Sequence, residues 1–194
     1  GVTGAVGMAL LEKCIREGYE VLAICRRGST RNSRIPSSPG ITVLETDLSE
    51  LDLVILPDDK PCETFYHLAW SGTFGEDRND LQMQVHNIEG TLGAVRLAKR
   101  LGCRTFVGAG SQAEYGRTKE ILRPDTPVFP ESGYGMAKLC AGQMSRIACE
   151  QFGMHHIWVR LFSIYGPYDR EQTMVCASLR KMLCQKETRY TPGE

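Results

Sequence analysis

The 194-residue chain predicts an α/β fold, a doubly wound parallel sheet with helices on both faces. Three observations lead there. Glycine recurs at positions 1, 4 and 7, directly ahead of an amphipathic helical run. Short apolar, β-rich runs then alternate with runs of 3.6-residue period along the chain. Each long helical run is closed by a glycine, at Gly18, Gly102 and Gly153, the residue that most readily ends a helix.

Taken in order, Gly1, Gly4 and Gly7 let the backbone approach a pyrophosphate, which the free N–H groups and dipole of the following helix attract. That helix spans 5–17, and 19–25 reads as the next strand, so glycine loop, helix and strand form a dinucleotide-binding unit. Strands follow at 41–47 and 62–69, separated by a short helix or turn at 51–56 that Pro57 stops. A helix over 77–100 carries Leu81, Val85, Ile88, Leu92, Val95 and Leu97 on period. The strand at 103–109, a Gly/Pro/Ser-rich loop at 110–132, a helix at 134–152, a strand at 155–162 and a helix at 171–185 complete the pattern. In such a sheet ligands bind beyond the strand C-termini, where Gly1–Gly7, Asp47, Ala69, Ser111 and Ser163 fall. A buried strand is expected ahead of Gly1, central between 19–25 and 62–69. The expected organisation is a segment of a longer protein, with residues 1–170 a dinucleotide-binding domain lacking its first strand. Residues 171–194 would open a substrate-binding part that is largely missing.

Composition excludes several classes. Lys+Arg and Asp+Glu balance at 23 each and no basic run exceeds two residues, which argues against nucleic-acid or polybasic membrane partners. No apolar run approaches the ~18–20 residues of a membrane span. The eight cysteines are scattered without a Cys-x-x-Cys pair, as in a cytoplasmic protein whose thiols stay reduced, so neither disulfides nor zinc are expected. His67, His86, His155 and His156 suggest no metal constellation, and His67 inside its strand reads as a satisfied core histidine.

Chemistry enters with Gly-Tyr-Gly-Met-Ala-Lys at 133–138. Tyr134 and Lys138 leave one helical face, and an ammonium beside a phenol draws the tyrosine from ~10 towards neutrality. The result is an acid/base able to exchange a proton with an alcohol or ketone.

Other motifs fall into order around that pair: Asp-Leu at 47–48, His-Leu-Ala at 67–69, Asn87-x-x-Gly-Thr, Ser111-x-x-x-Tyr-Gly, and Arg-Leu-Phe-x-x-Tyr-Gly-Pro from 160. The series resembles the extended short-chain dehydrogenase/reductases, the NAD(P)-dependent epimerases, dehydratases and reductases of nucleotide sugars, over nearly the whole chain. That resemblance implies a Rossmann fold with Ser111 as the catalytic hydroxyl, Tyr134 as acid/base, Lys138 as its pKa-lowering and ribose-binding partner, and Asn87 in the same catalytic set. Gly1, Gly4 and Gly7 would hold the phosphates, Asp47 and Leu48 the adenine, and Ala69 another part of the cofactor. Ser71 and Thr73, directly after the 62–69 strand, would join Ser111 and Ser163 on a nucleotide-sugar substrate. The two long helices would form the face of a homodimer.

Two departures narrow the reading. NAD-specific members usually end the second strand with an acid that holds the ribose hydroxyls. Here Cys25 is followed by Arg26 and Arg27, suited to a 2′-phosphate, so NADP is expected before NAD. Dehydratases of the family set an acidic pair just after the catalytic hydroxyl. Here Gln112 and Ala113 stand there and Glu114 comes one residue late, which on a strand-like segment reverses its face. The expected activity is therefore epimerisation or 4-ketoreduction of a nucleotide sugar. The alternative is a non-catalytic dinucleotide-binding sensor or regulatory protein of the same fold.

Overall fold

Among the described residues, nine α-helices and β-strands follow in the alternating order expected: α1 (Ala5–Arg16), β1 (Val21–Cys25), β2 (Ile41–Glu45), β3 (Thr64–His67), α2 (Leu81–Arg100), β4 (Thr105–Ser111), α3 (Gly133–Gln151), β5 (His155–Leu161) and α4 (Met174–Leu183). They come from a computed structural model that describes residues 1–56 and 60–188. Pro57, the expected stop after 51–56, lies outside the described residues, as do 189–194. Gly18, Gly102 and Gly153 take φ of +77°, +73° and +69°, so each leaves its helix through the left-handed region that a Cβ disfavours.

All strand pairs are parallel. β1 pairs with β2, and β4 lies between β3 and β5 in a separate ladder, so the α/β parallel fold is as the sequence predicts. Among the described residues no ladder joins β1 to β3. The Gly1 amino group donates to the Leu68 carbonyl at 2.6 Å, which seats the glycine loop beside the end of β3.

The core forms where α2 and α3 cover β4. Ala94, Val95, Leu97 and Ala98 of α2, Phe106 of β4 and Cys149 of α3 are fully buried there. Phe65, Phe106 and His156 sit opposite one another in register, and their rings stack with Trp158 at centroid spacings of 5.7, 6.1 and 6.1 Å. The last ring of this row needs glycine around it. A Cβ on Gly108 would lie 2.3 Å, and one on Gly142 2.7 Å, from Trp158 ring atoms.

Of the boundaries that differ from expectation, two are set by side-chain caps, those of Asp80 and Ser111. The helix expected over 77–100 begins only after Asp80, whose carboxylate accepts from the Met83 N–H at 3.0 Å; ahead of it Gly75–Asn79 makes a separate 3-10 turn. The short helix or turn expected over 51–56 is a 3-10 turn over Leu48–Leu53. Within the loop expected over 110–132, β4 runs on to Ser111 and Gln112–Glu114 forms another 3-10 turn. The last helix starts only at Met174, with Thr173 in the N-cap position but its hydroxyl turned back to Asp169.

Cys14, Cys25, Cys103, Cys140, Cys149, Cys176 and Cys184 are free thiols. Among the described residues no helix is long and apolar enough to cross a membrane, and no group of three or more His, Cys, Asp or Glu side chains is placed to hold a metal.

Candidate active site

The C-terminal ends of β3 and β4, the glycine loop and the start of α3 converge. Gly4 introduces α1, whose first turn carries no acidic side chain to compete for an anion. Gly7 lies under the loop backbone, where a Cβ would come within 2.4 Å of the Gly1 oxygen and 2.5 Å of the Val2 oxygen. A Cβ on Gly1 would meet that of Ala69 at 3.8 Å, so these two candidate cofactor contacts are neighbours. The loop, the open end of α1 and Ala69 make a cradle that could hold a pyrophosphate at the helix N-terminus.

Beside this cradle, Ser111, Tyr134 and Lys138 come together, all buried. Ser111 ends β4, and its Oγ accepts from the Ala113 N–H at 3.2 Å, which leaves its own proton free to donate. The Tyr134 phenol is its hydrogen-bonding neighbour. One turn along α3, the Lys138 ammonium donates to the Ala109 carbonyl at 2.6 Å and stands 5.9 Å from the centre of the Tyr134 ring. Burial pulls the Lys138 pKa down to about 7, a fall that the Glu114 carboxylate opposes. The expected lowering of Tyr134 is reversed here: burial raises the phenol above its ordinary value, Glu114 adds to the rise, and the Ser111 hydrogen bond and the Arg78 guanidinium offset part of it. The physical reason is desolvation, which the spacing of Tyr and Lys cannot reveal.

Glu114 needs a correction too. It stands on a 3-10 turn, not a strand, and Ser111 and Glu114 form a reciprocal capping box. Its Oε1 accepts from Ser111 N–H at 2.8 Å and from Trp158 Nε1 at 3.0 Å; its Oε2 accepts from Arg160 Nε at 2.8 Å. Arg160 also donates to Tyr115 Oη at 2.9 Å. Both carboxylate oxygens are thus engaged in fixing the turn that carries Ser111. The signal for this was present in the sequence as Ser-x-x-Glu, but Trp158 and Arg160 gave none.

The segment after β3 forms a wall over these groups. The Trp70 ring covers the Lys138 ammonium at 3.7 Å and meets Tyr134 edge-on at 6.1 Å. Its Nε1 donates to Gln84 Oε1 at 2.9 Å, while Gln84 Nε2 donates to the carbonyls of Gly72 and Asp77. Asn87, expected in the catalytic set, is buried and spends both polar atoms on the backbone of Ser71, each at 2.9 Å. It therefore holds the wall in place. Ser71 keeps an exposed side chain, and Thr73 offers its carbonyl to Arg78. Behind the wall, His67 bonds Thr91 Oγ1 at 3.1 Å, and burial takes its pKa down to about 3, which fits a satisfied core histidine.

The remaining candidates lie further out. Arg26 is exposed, with its carbonyl accepting from Asn32 Nδ2 at 2.9 Å, and Arg27 pairs with Glu50 at 2.9 Å. Arg34, further along the same loop, donates to the Thr3 carbonyl at 3.0 Å and so braces the glycine loop. Asp47 stands directly ahead of the 48–53 turn without a side-chain cap, and Leu48 packs against Gly90 of α2, where a Cβ would lie 2.3 Å from Leu48 Cγ. Ser163 is exposed beyond β5.

Comparison with known proteins agrees with the fold. Residues 1–193 match the model of the NAD dependent epimerase/dehydratase family. The chain is 29% identical over 203 residues to the GDP-mannose 4,6-dehydratase of Vibrio cholerae, covering 94% of this chain and 53% of that protein. It is 26% identical over 184 residues to the UDP-glucuronate 4-epimerase of Thermodesulfobacterium geofontis, covering 88% and 56%. Among solved structures, a mutant UDP-glucuronic acid 4-epimerase from Bacillus cereus, in complex with UDP-4-deoxy-4-fluoro-glucuronic acid and NAD, superposes with a TM-score of 0.82 at 20% identity, over 100% of this chain and 65% of that one. The chain spans about half the length of the curated relatives it matches.

Proposed function

The chain belongs to the NAD dependent epimerase/dehydratase family, and from that membership we propose that it carries the catalytic part of a nucleotide-sugar epimerase or 4-ketoreductase. The observation that carries this reading is the meeting of Ser111, Tyr134 and Lys138 beside the glycine cradle. The cradle suits a dinucleotide because Gly7 admits no Cβ and the α1 end holds no competing acid. A bound nicotinamide would exchange a hydride with the sugar carbon. Ser111, the hydrogen-bonding neighbour of Tyr134, would orient the sugar oxygen. Tyr134 would take that oxygen's proton on oxidation and return it on reduction. Lys138 would favour the phenolate and hold a ribose hydroxyl. The engagement of both Glu114 oxygens supports epimerisation or ketoreduction over dehydration, since a carboxylate held by three donors is poorly placed to shuttle protons in an elimination.

The structurally similar Bacillus cereus epimerase holds NAD. NAD is the cofactor proposed first, because Arg27, half of the pair suited to a 2′-phosphate, already pairs with Glu50. The NADP reading rests on exposed Arg26 and on the lack of an acid at Cys25. Titrating both cofactors against wild type and Arg26→Ala separates the two, since a 2′-phosphate contact weakens NADP alone. Half-exposed Val85, Met144 and Ile147 on α2 and α3 support a homodimer through these helices, and the free thiols suit a reducing, cytoplasmic setting.

The test incubates the intact protein with NAD or NADP and a panel of UDP-, GDP-, dTDP- and CDP-hexoses, and identifies the sugars by NMR. Inversion or keto-group reduction of one member is expected. Tight cofactor binding with no conversion of any sugar would favour the non-catalytic reading.

A further inference from the structure

We infer that Arg78 is a positioning residue for Tyr134, a fixed cation over the face of the phenol that favours the phenolate. This rests on the reading of Tyr134 as the acid/base. The Arg78 guanidinium carbon lies 4.5 Å from the centre of the Tyr134 ring, nearer than the Lys138 ammonium at 5.9 Å. Its place is built and does not depend on a loose side chain. Arg78 lies on the 3-10 turn Gly75–Asn79, and its Nη1 donates to the Thr73 carbonyl at 3.2 Å. Gln84 holds the same turn through the Asp77 carbonyl at 3.0 Å, and Asn79 Oδ1 accepts from the Gly133 N–H at 2.9 Å. Gly133 directly precedes Tyr134, and a Cβ there would come within 3.1 Å of the Arg78 carbonyl, so turn and helix start are packed backbone to backbone.

The charges facing Tyr134 come from three elements: Arg78 from this turn, Lys138 from α3, and Glu114 from the turn after β4. Neutral Ser111 and Trp70 complete the surround. Glu114 opposes the phenolate, and Lys138, drawn to about 7 by burial, loses its charge within the working range. A guanidinium keeps its charge at any pH the protein experiences. Arg78 therefore supplies the positive charge that burial takes from the lysine, in a position where an opposite charge lowers an acid by roughly 1–3 pH units.

Two substitutions separate charge from scaffolding. Arg78→Gln keeps an amide donor for Thr73 and loses the charge, while Arg78→Lys keeps the charge. The readout is the phenol itself: difluorotyrosine in place of Tyr134 in the intact protein, titrated by fluorine NMR, which requires no turnover and so stays informative even if no sugar is converted. The expected result is an upward shift of the midpoint by on the order of 1 pH unit in Arg78→Gln and a midpoint close to wild type in Arg78→Lys. Where a sugar is converted, the acid limb of kcat/KM for its oxidation moves by the same interval. An unshifted midpoint in Arg78→Gln, or equal shifts in both variants, would overturn the inference.

Discussion

Glu114 shows how much one side chain can fix. Its carboxylate is fully buried and accepts from Ser111, Trp158 and Arg160, binding the end of β4 to β5. Glu114→Ala would leave the Arg160 guanidinium without its ion-pair partner and the Ser111 and Trp158 N–H groups unsatisfied. The expected loss is on the order of 3 kcal/mol in a denaturant titration, and a loss below ~1 kcal/mol would show that the network relaxes without it. His67 makes a pH-dependent prediction. Its folded pKa is about 3 against an ordinary 6.5, so below 6.5 the unfolded chain binds a proton that the folded protein refuses. Stability is therefore lost as pH falls from about 6.5 towards about 3. In melts across that window wild type should lose stability faster than His67→Gln, and parallel curves would show that His67 does not titrate as described. The histidine's core role was legible from its strand. The Glu114 network was not: its capping box was written in Ser-x-x-Glu, but its partners lie 44 and 46 residues away.

The glycine loop with α1 was the most legible element, because its constraint is local and steric. Gly7 and Gly4 differ in a way that spacing cannot show. A Cβ on Gly7 meets the Gly1 carbonyl at 2.4 Å, whereas one on Gly4 meets the same atom at 3.4 Å. Gly7→Ala should weaken dinucleotide binding at least ~10-fold, about 1.4 kcal/mol, with Gly4→Ala milder. Isothermal titration with the cofactor decides it, and equal effects would mean that the loop is not clamped over Gly7. The wall at 70–79 was the least legible element. The periodic pattern ran through Asp77–Asn79 and hid the turn that Asp80 separates from α2. Trp70, Arg78 and Gln84 then owe their roles to contacts with α3 and with one another, which no single-sequence pattern encodes.

At the scale of the whole molecule, parallel strands alternating with helices gather residues from position 1 to 138 at one end of the sheet. The order of motifs was enough to anticipate that Ser111, Tyr134 and Lys138 meet there. It was not enough to anticipate the electrostatics, since burial raises Tyr134 and lowers Lys138 against the simple picture of a lysine activating a tyrosine. The central claim is that Tyr134 moves the proton while the rest of the site binds and orients. It is tested most directly by comparing wild type with Tyr134→Phe in the intact protein, on the nucleotide sugar that wild type converts, alongside cofactor titrations of both. Turnover should fall by ~10²-fold or more while cofactor affinity stays unchanged, as for loss of a positioned acid/base. Wild-type turnover in Tyr134→Phe would sink the assignment.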